Sequence, residues 1–184
     1  MPFNVREYAM KIMGFVLTAL LLGACVGKPD NVVPVGNFDS ARYLGTWYEI
    51  ARLDHRFEKG LSRVSATYSL REDGGLKVVN RGYRDADAIW KEALGKAYFV
   101  QRPDLGYLKV SFFGPFYGAY VVFDLDPDYR TSMVSGPDKS YLWLLSRTPT
   151  MDAATKKRLV TKAQVLGFDT NALIFVDQGA APTP

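Results

Sequence analysis

Strict alternation constrains this chain most, and it is clearest in "SRVSATYSLRE" (62–72). Val64, Ala66, Tyr68 and Leu70 fall on one side, while Arg63, Ser65, Thr67, Ser69 and Arg71 fall on the other. A two-residue period of this kind belongs to a strand buried on one face. An Asp-Gly turn at 73–74 follows, and "LKVVNRGYR" returns as the antiparallel partner. The same character recurs at 46–53, 89–101, 106–114, 117–125, 130–136 and 141–147. The breaks between these runs, "RPDLG", "GPF", "DPDY" and "GPDKS", are turn chemistry. The chain therefore reads as all-β: an up-and-down meander of eight strands. Such a sheet removes its exposed edges by closing into an antiparallel barrel. The polar alternate faces argue against a membrane-spanning barrel.

After Pro149 the period changes. In 150–169, Ala154, Leu159, Ala163 and Leu166 gather on one helical face, with Lys156, Lys157 and Lys162 opposite. Thr150 or Asp152 can cap the start and Gly167 the end. The spacing predicts one amphipathic helix packed outside the barrel, followed by a short ninth strand at 172–176.

The N-terminus has a different logic. Arg6 and Lys11 precede "IMGFVLTALLLGA", an apolar run of 13 residues. A membrane-spanning helix needs about 20, so residues 1–24 read as a secretory signal peptide. Cys25, the chain's one cysteine, cannot form an internal disulfide. It closes Leu22-Gly23-Ala24-Cys25, which resembles the bacterial lipoprotein box, in which the thiol receives diacylglycerol and the new N-terminus is acylated. Val26 follows, and by that resemblance the absence of Asp there favours the outer membrane, with the domain on its periplasmic side. Residues 25–36 read as the lipidated cysteine and a tether, 37–178 as the barrel domain, and 179–184 as a disordered tail.

The net charge is +4. Removing residues 1–24 takes away Arg6, Lys11 and Glu7, leaving +3, and the remaining cations are dispersed among acids. That pattern suits a solvated surface and not nucleic-acid binding.

Gly45-x-Trp47 at the start of the first strand, and Arg147 at the end of the eighth, resemble the two ends of the lipocalin pattern. The middle element, at "DPDYR" (126–130), keeps Asp128-Tyr129 but has Pro127 where Thr is usual. "RYLGTWYEIARLDHRFEKGL", "VSATYSLREDGGL", "LKVSFFGPFYGAY" and "YLWLLSRTP" are together similar to the bacterial outer-membrane lipoprotein lipocalins. The resemblance implies a calyx with Trp47 at its closed base and Arg147 across it. It also implies binding of fatty acids or lysophospholipids, in membrane maintenance or lipid transport.

The residues permit that function. Phe112, Phe113, Phe116, Tyr117 and Tyr120 surround a Gly-Pro hairpin expected at the mouth. If Arg147 points into the base, Leu145, Trp143 and Tyr141 share the inner face. Trp143 and Tyr117 are the first candidate ligand contacts, with Phe112, Phe113 and Tyr141 beside them. The alternative is that these aromatics fill a solid core. Glu49 shares the face of Trp47 and projects inward, either to hydrogen bond an inner Tyr or Arg, the favoured reading, or to meet a headgroup. His55, in "LDHRFEKGL", is expected on the solvated surface of the loop over the mouth, or stabilising it as a lid.

No constellation for catalysis emerges: there is no second His and no Gly-x-Ser-x-Gly elbow. No cofactor and no metal are expected. Competing readings are a periplasmic carrier or chaperone for acylated proteins, which predicts an open, hook-like sheet, and a lipid-modifying enzyme. A homodimer is compatible with the sequence.

Overall fold

A computed structural model describes residues 26–180. The expected signal peptide, Cys25 and residues 181–184 of the expected tail lie outside them. Nine strands follow in order: β1 (Gly45–Leu53), β2 (Leu61–Leu70), β3 (Leu76–Arg84), β4 (Ile89–Phe99), β5 (Tyr107–Phe113), β6 (Phe116–Leu125), β7 (Thr131–Ser135), β8 (Leu142–Ser146) and β9 (Leu173–Phe175). Each of the first seven pairs antiparallel with the next, and β1 pairs with both β8 and β2, which closes the barrel, while β9 adds to β1. The expected eight-stranded up-and-down architecture is the one found. It excludes the hook-like sheet.

A one-turn helix, α1 (Ser40–Tyr43), leads into β1, its N-cap Asp39 accepting from the backbone N–H groups of Ala41 and Arg42. The longer helix α2 (Ala153–Val165) is capped by Asp152, which accepts from Thr155 N at 2.8 Å. Its Leu159 and Ala163 pack with Val121, Phe123, Met133 and Leu144 on the outer wall. A second apolar cluster fills the lower barrel around Tyr43, Trp47, Tyr68 and Val122. Strand alternation explains the two cores: successive residues of β6 feed opposite sides of one wall.

The base is built around Trp47. Its indole N–H donates to Tyr43 O at 2.9 Å. The Arg147 guanidinium lies 4.0 Å from its ring centroid. Arg147 also donates to the carbonyls of Arg42, Thr46 and Tyr129 at 2.7–3.1 Å, so one planar fork joins three segments. Gly45 has φ +88°, a conformation other residues adopt only under strain. Tyr129, from the middle element, joins this region too: its hydroxyl accepts from Asp39 N at 2.8 Å, and Arg42 stacks on its ring.

The seam between β1 and β2 is short, pairing Gly45–Tyr48 with Ser65–Tyr68. Above it β2 shifts register between Ser62 and Ser65, and β9 takes over the edge of β1 at Ala51–Leu53. Gln178 spans the gap, its Nε2 donating to Glu49 O at 2.7 Å and Val64 O at 2.8 Å.

The segment expected as a tether is instead a strap on the barrel. Val32 is fully buried, Val35 N donates to Val122 O at 2.9 Å, and Phe38 N donates to Asp104 O at 2.9 Å. The Val26 carbonyl accepts from the Tyr107 hydroxyl. Proline and polar residues gave this segment the look of a linker, but its valines at 26, 32 and 35 supply the packing.

Candidate ligand-binding cavity

A narrow cavity lies inside the barrel, with about 80 Å³ of space open to water-sized groups. Val64, Val78, Val110, Phe112 and Leu145 are among its apolar walls, with Tyr68 and Tyr120 deep within and Glu49, Glu58 and Trp143 towards the mouth. The mouth is the end to which the β1–β2 loop (54–60) belongs.

Each lining residue arrives by strand period. In β5, Val110 and Phe112 face in, whereas Tyr107, Lys109 and Phe113 have the opposite parity. In β8, Trp143 and Leu145 face in. In β1, a register shift between Glu49 and Ala51 resets the alternation and brings Arg52 back beside Glu49. At Gly95 an added Cβ would stand 2.8 Å from the Phe112 ring, so glycine makes room for that ring against β4. The β4–β5 ladder covers only Lys96–Phe99, and Phe112 fills the wall just above it.

The polar end is a connected cluster. Arg52 is buried and donates from Nη1 to Glu49 Oε1 at 2.6 Å, and from Nη2 to the carbonyls of Glu58 and Leu61 at 2.9 and 3.1 Å. His55 Nε2 lies 3.0 Å from Glu58 Oε2, and the Trp143 indole N–H donates to the same oxygen at 3.0 Å. Burial, and then the nearby Glu58 carboxylate, push the Glu49 carboxyl well above the usual carboxylate range, against the pull of Arg52. Burial alone would also raise Glu58, but hydrogen bonding and charge from His55, with the Trp143 N–H, outweigh it and hold the group below its ordinary value. The two neighbouring carboxyls are thus shifted in opposite directions.

Deeper, the hydroxyls of Tyr43, Tyr120 and Tyr68 form a chain with 2.8 Å links. Burial raises the Tyr43 hydroxyl to about 12 and the other two well above their ordinary value. All three stay neutral, and their mutual hydrogen bonds let polar groups sit in an apolar barrel.

The structure separates the candidate contacts. Trp143 and Phe112 line the cavity. Tyr141 stacks on Trp143 and His55 at ring distances of 6.1 and 5.7 Å, behind the lining. Tyr117 and Phe113 lie outside it. Tyr117 meets Tyr98 at 6.3 Å and the ammonium groups of Lys109 and Lys96 at 5.1 and 5.9 Å, and Phe113 is 69% exposed. Alternation gives the reason: Tyr120 points inward from β6, so Tyr117, three positions away, points out. Glu49 does bond an inner Arg, as the favoured reading held. His55 departs from the expected solvated surface; its side chain is 6% exposed because Glu58, Tyr141 and Trp143 enclose it. Sequence reasoning missed Glu58 and Arg52, since nothing local distinguishes them from the exposed Arg56 and Lys59 in the same stretch.

A lipocalin-like domain model matches residues 38–178. The outer membrane lipoprotein Blc of Vibrio cholerae is 54% identical over 170 residues, covering 92% of this chain and 99% of that protein. The protein of the same name from Escherichia coli K12 is 52% identical over 171 residues, covering 92% and 97%. Among solved structures, insecticyanin from the tobacco hornworm Manduca sexta superposes with a TM-score of 0.66 at 21% identity, covering 84% of this chain and 88% of that one. A barrel closed by β1, a base joined by Arg147 and Trp47, and these likenesses lead to one assignment: the chain belongs to the lipocalin family.

Proposed function

We propose that this lipocalin is an outer-membrane lipoprotein that holds a fatty acid or lysophospholipid in its cavity, acylated at Cys25 and facing the periplasm. The carrying observation is the polarity gradient of the cavity. Aliphatic walls and the mutually bonded Tyr68 and Tyr120 surround its depth, while the carboxyls of Glu49 and Glu58 and the Trp143 indole stand towards the mouth. An amphipathic lipid matches that gradient, its acyl chain inside and its headgroup at the polar end. The lipoprotein box at 22–25 and the names of the two bacterial relatives support the anchor. Two or more acyl chains give a stable attachment, at about 0.8 kcal/mol per buried CH₂. The role is binding, in keeping with a family generally made of binding proteins, and serves membrane maintenance or lipid transport.

Titration with lysophospholipids and fatty acids of graded chain length, read by tryptophan fluorescence, tests the reading. A saturable response that sharpens over a limited range of chain lengths is expected; no response at any length overturns it. The mass of the mature N-terminal peptide tests the anchor separately. A diacylglyceryl, N-acylated Cys25 is expected, and a free thiol overturns it.

A further inference from the structure

We propose that the outer face of β4–β6, crowned by the β5–β6 hairpin, docks on the lipid bilayer and fixes the orientation of the barrel. The inference rests on acylation at Cys25 and goes beyond it, because an anchor alone leaves orientation open.

Three observations converge on this face. The first is the hairpin tip. Phe113 and Phe116 pair across it and are 69% and 77% exposed, and Leu94 on β4 is 64% exposed. Single exposed apolar residues need no explanation, but two adjacent phenylalanines held out by a closed hairpin form a patch.

The second is what lies below the tip. Tyr117 stands between the ammonium groups of Lys96 and Lys109, and Tyr98 packs against it. Neither lysine forms an ion pair among the described residues, so both charges are available to anionic lipid phosphates. Tyrosine and lysine at headgroup level, with phenylalanine reaching further, is the composition of a membrane-interface surface.

The third is the anchor's exit. Cys25 is one peptide unit, about 3.8 Å between Cα atoms, from Val26, whose carbonyl is held by Tyr107. Tyr107 opens β5, the strand that carries Lys109 and ends at Phe113. At about 3.3 Å per residue the tip lies about 20 Å along that strand. The acyl chains therefore leave the protein on the side that carries the lysines and the phenylalanines. A slack tether would have given no such coupling. Docked this way, the barrel meets the bilayer along β5 with its mouth close to the headgroups, where Phe112 forms the nearest part of the cavity wall.

Nitroxide labelling of the acylated protein in vesicles of phosphatidylethanolamine with a minority of phosphatidylglycerol tests the proposal. Acylation blocks Cys25, so an introduced cysteine is the one reactive thiol. Labels at Phe116→Cys and, separately, Phe113→Cys should collide severalfold more with oxygen than with a water-soluble nickel chelate. A label at Thr67→Cys, on β2 away from this face, should behave as in water. Adding Lys96→Glu and Lys109→Glu should move the hairpin labels severalfold towards the aqueous value. Water-like behaviour at both hairpin positions overturns the docking while leaving the anchor and the cavity reading intact. Dipolar broadening between hairpin labels, meaning a second copy covers the patch, also overturns it. Label uptake by Cys25 in the unsubstituted protein overturns anchor and docking together.

Discussion

The indole N–H of Trp143 donates to Glu58 Oε2 at 3.0 Å, which ties the inner wall of the cavity to the loop across its mouth. The same oxygen faces His55 Nε2, and Arg52 holds the Glu58 carbonyl. Loop and wall are thus joined at one residue that contributes both its side chain and its backbone.

Glu58→Ala should therefore loosen the loop, leave the part-buried Trp143 N–H unmatched and remove the carboxylate that faces His55. A loss of about 1–3 kcal/mol in unfolding free energy follows from stranding such groups. Urea denaturation checks the stability, and limited proteolysis should show faster cleavage within 54–60. Unchanged values in both would mean the loop is held elsewhere.

Glu49 and Glu58 give stability opposite pH dependences. Glu58 is held below its ordinary value of 4.5, so in that region the unfolded chain binds the extra proton. Its contribution is complete above 4.5 and is lost as pH falls through the folded value. Glu49 is held well above 4.5, so the folded chain binds the extra proton. Its contribution is complete below 4.5 and is lost as pH rises through the folded value. Glu49→Gln should remove the decline on the alkaline side, and Glu58→Gln the decline on the acid side. Denaturant midpoints measured across pH for both variants check the signs.

The base should tolerate little. Arg147→Ala removes a cation–π contact worth about 0.5–2 kcal/mol and three hydrogen bonds to carbonyls. Arg147→Lys should recover only a small part, because an ammonium cannot reproduce the planar fork. Trp47→Ala should cost about 3–5 kcal/mol through the void it leaves. Thermal and denaturant unfolding of the three variants rank them.

Ligand affinity should depend on the wall and not on aromatic content in general. Trp143→Ala should weaken lysophospholipid binding about tenfold, or about 1.4 kcal/mol, with the barrel still folded. Trp90→Phe, on the outer face where Arg81 stacks on the indole, should bind as the unsubstituted chain does. Calorimetric titration compares them without relying on either indole as reporter.

The strand count, the helix after Pro149 and the pairing of Trp47 with Arg147 were legible because each rests on a local signal: period two, period 3.6, turn residues, and a spaced Gly-x-Trp. The cavity was legible only in part. Trp143, Leu145 and Glu49 follow from counting along strands that stay regular. Tyr117 and Phe113 were named from the composition of their hairpin, whereas alternation from Tyr120 sends Tyr117 outward, and neither lines the cavity. Arg52 depends on the register shift after Glu49, which no residue in "EIAR" announces. His55 and Glu58 sit in a loop, and their burial comes from Trp143 and Tyr141, more than 80 residues away in sequence. The strap at 26–38 escaped for the converse reason, as a Pro-containing polar stretch whose few valines find a wall that only the closed barrel provides.

The two hydrogen bonds from Gln178 have a practical consequence. Acylation at Cys25, as proposed above, would make the C-terminal side of the domain the natural place for a purification handle. Here that side is a structural part, splinting Glu49 to Val64 across the β1–β2 seam. A handle joined directly after Gln178, or a truncation that removes it, would pull on the backbone of the residue whose carboxyl faces the cavity.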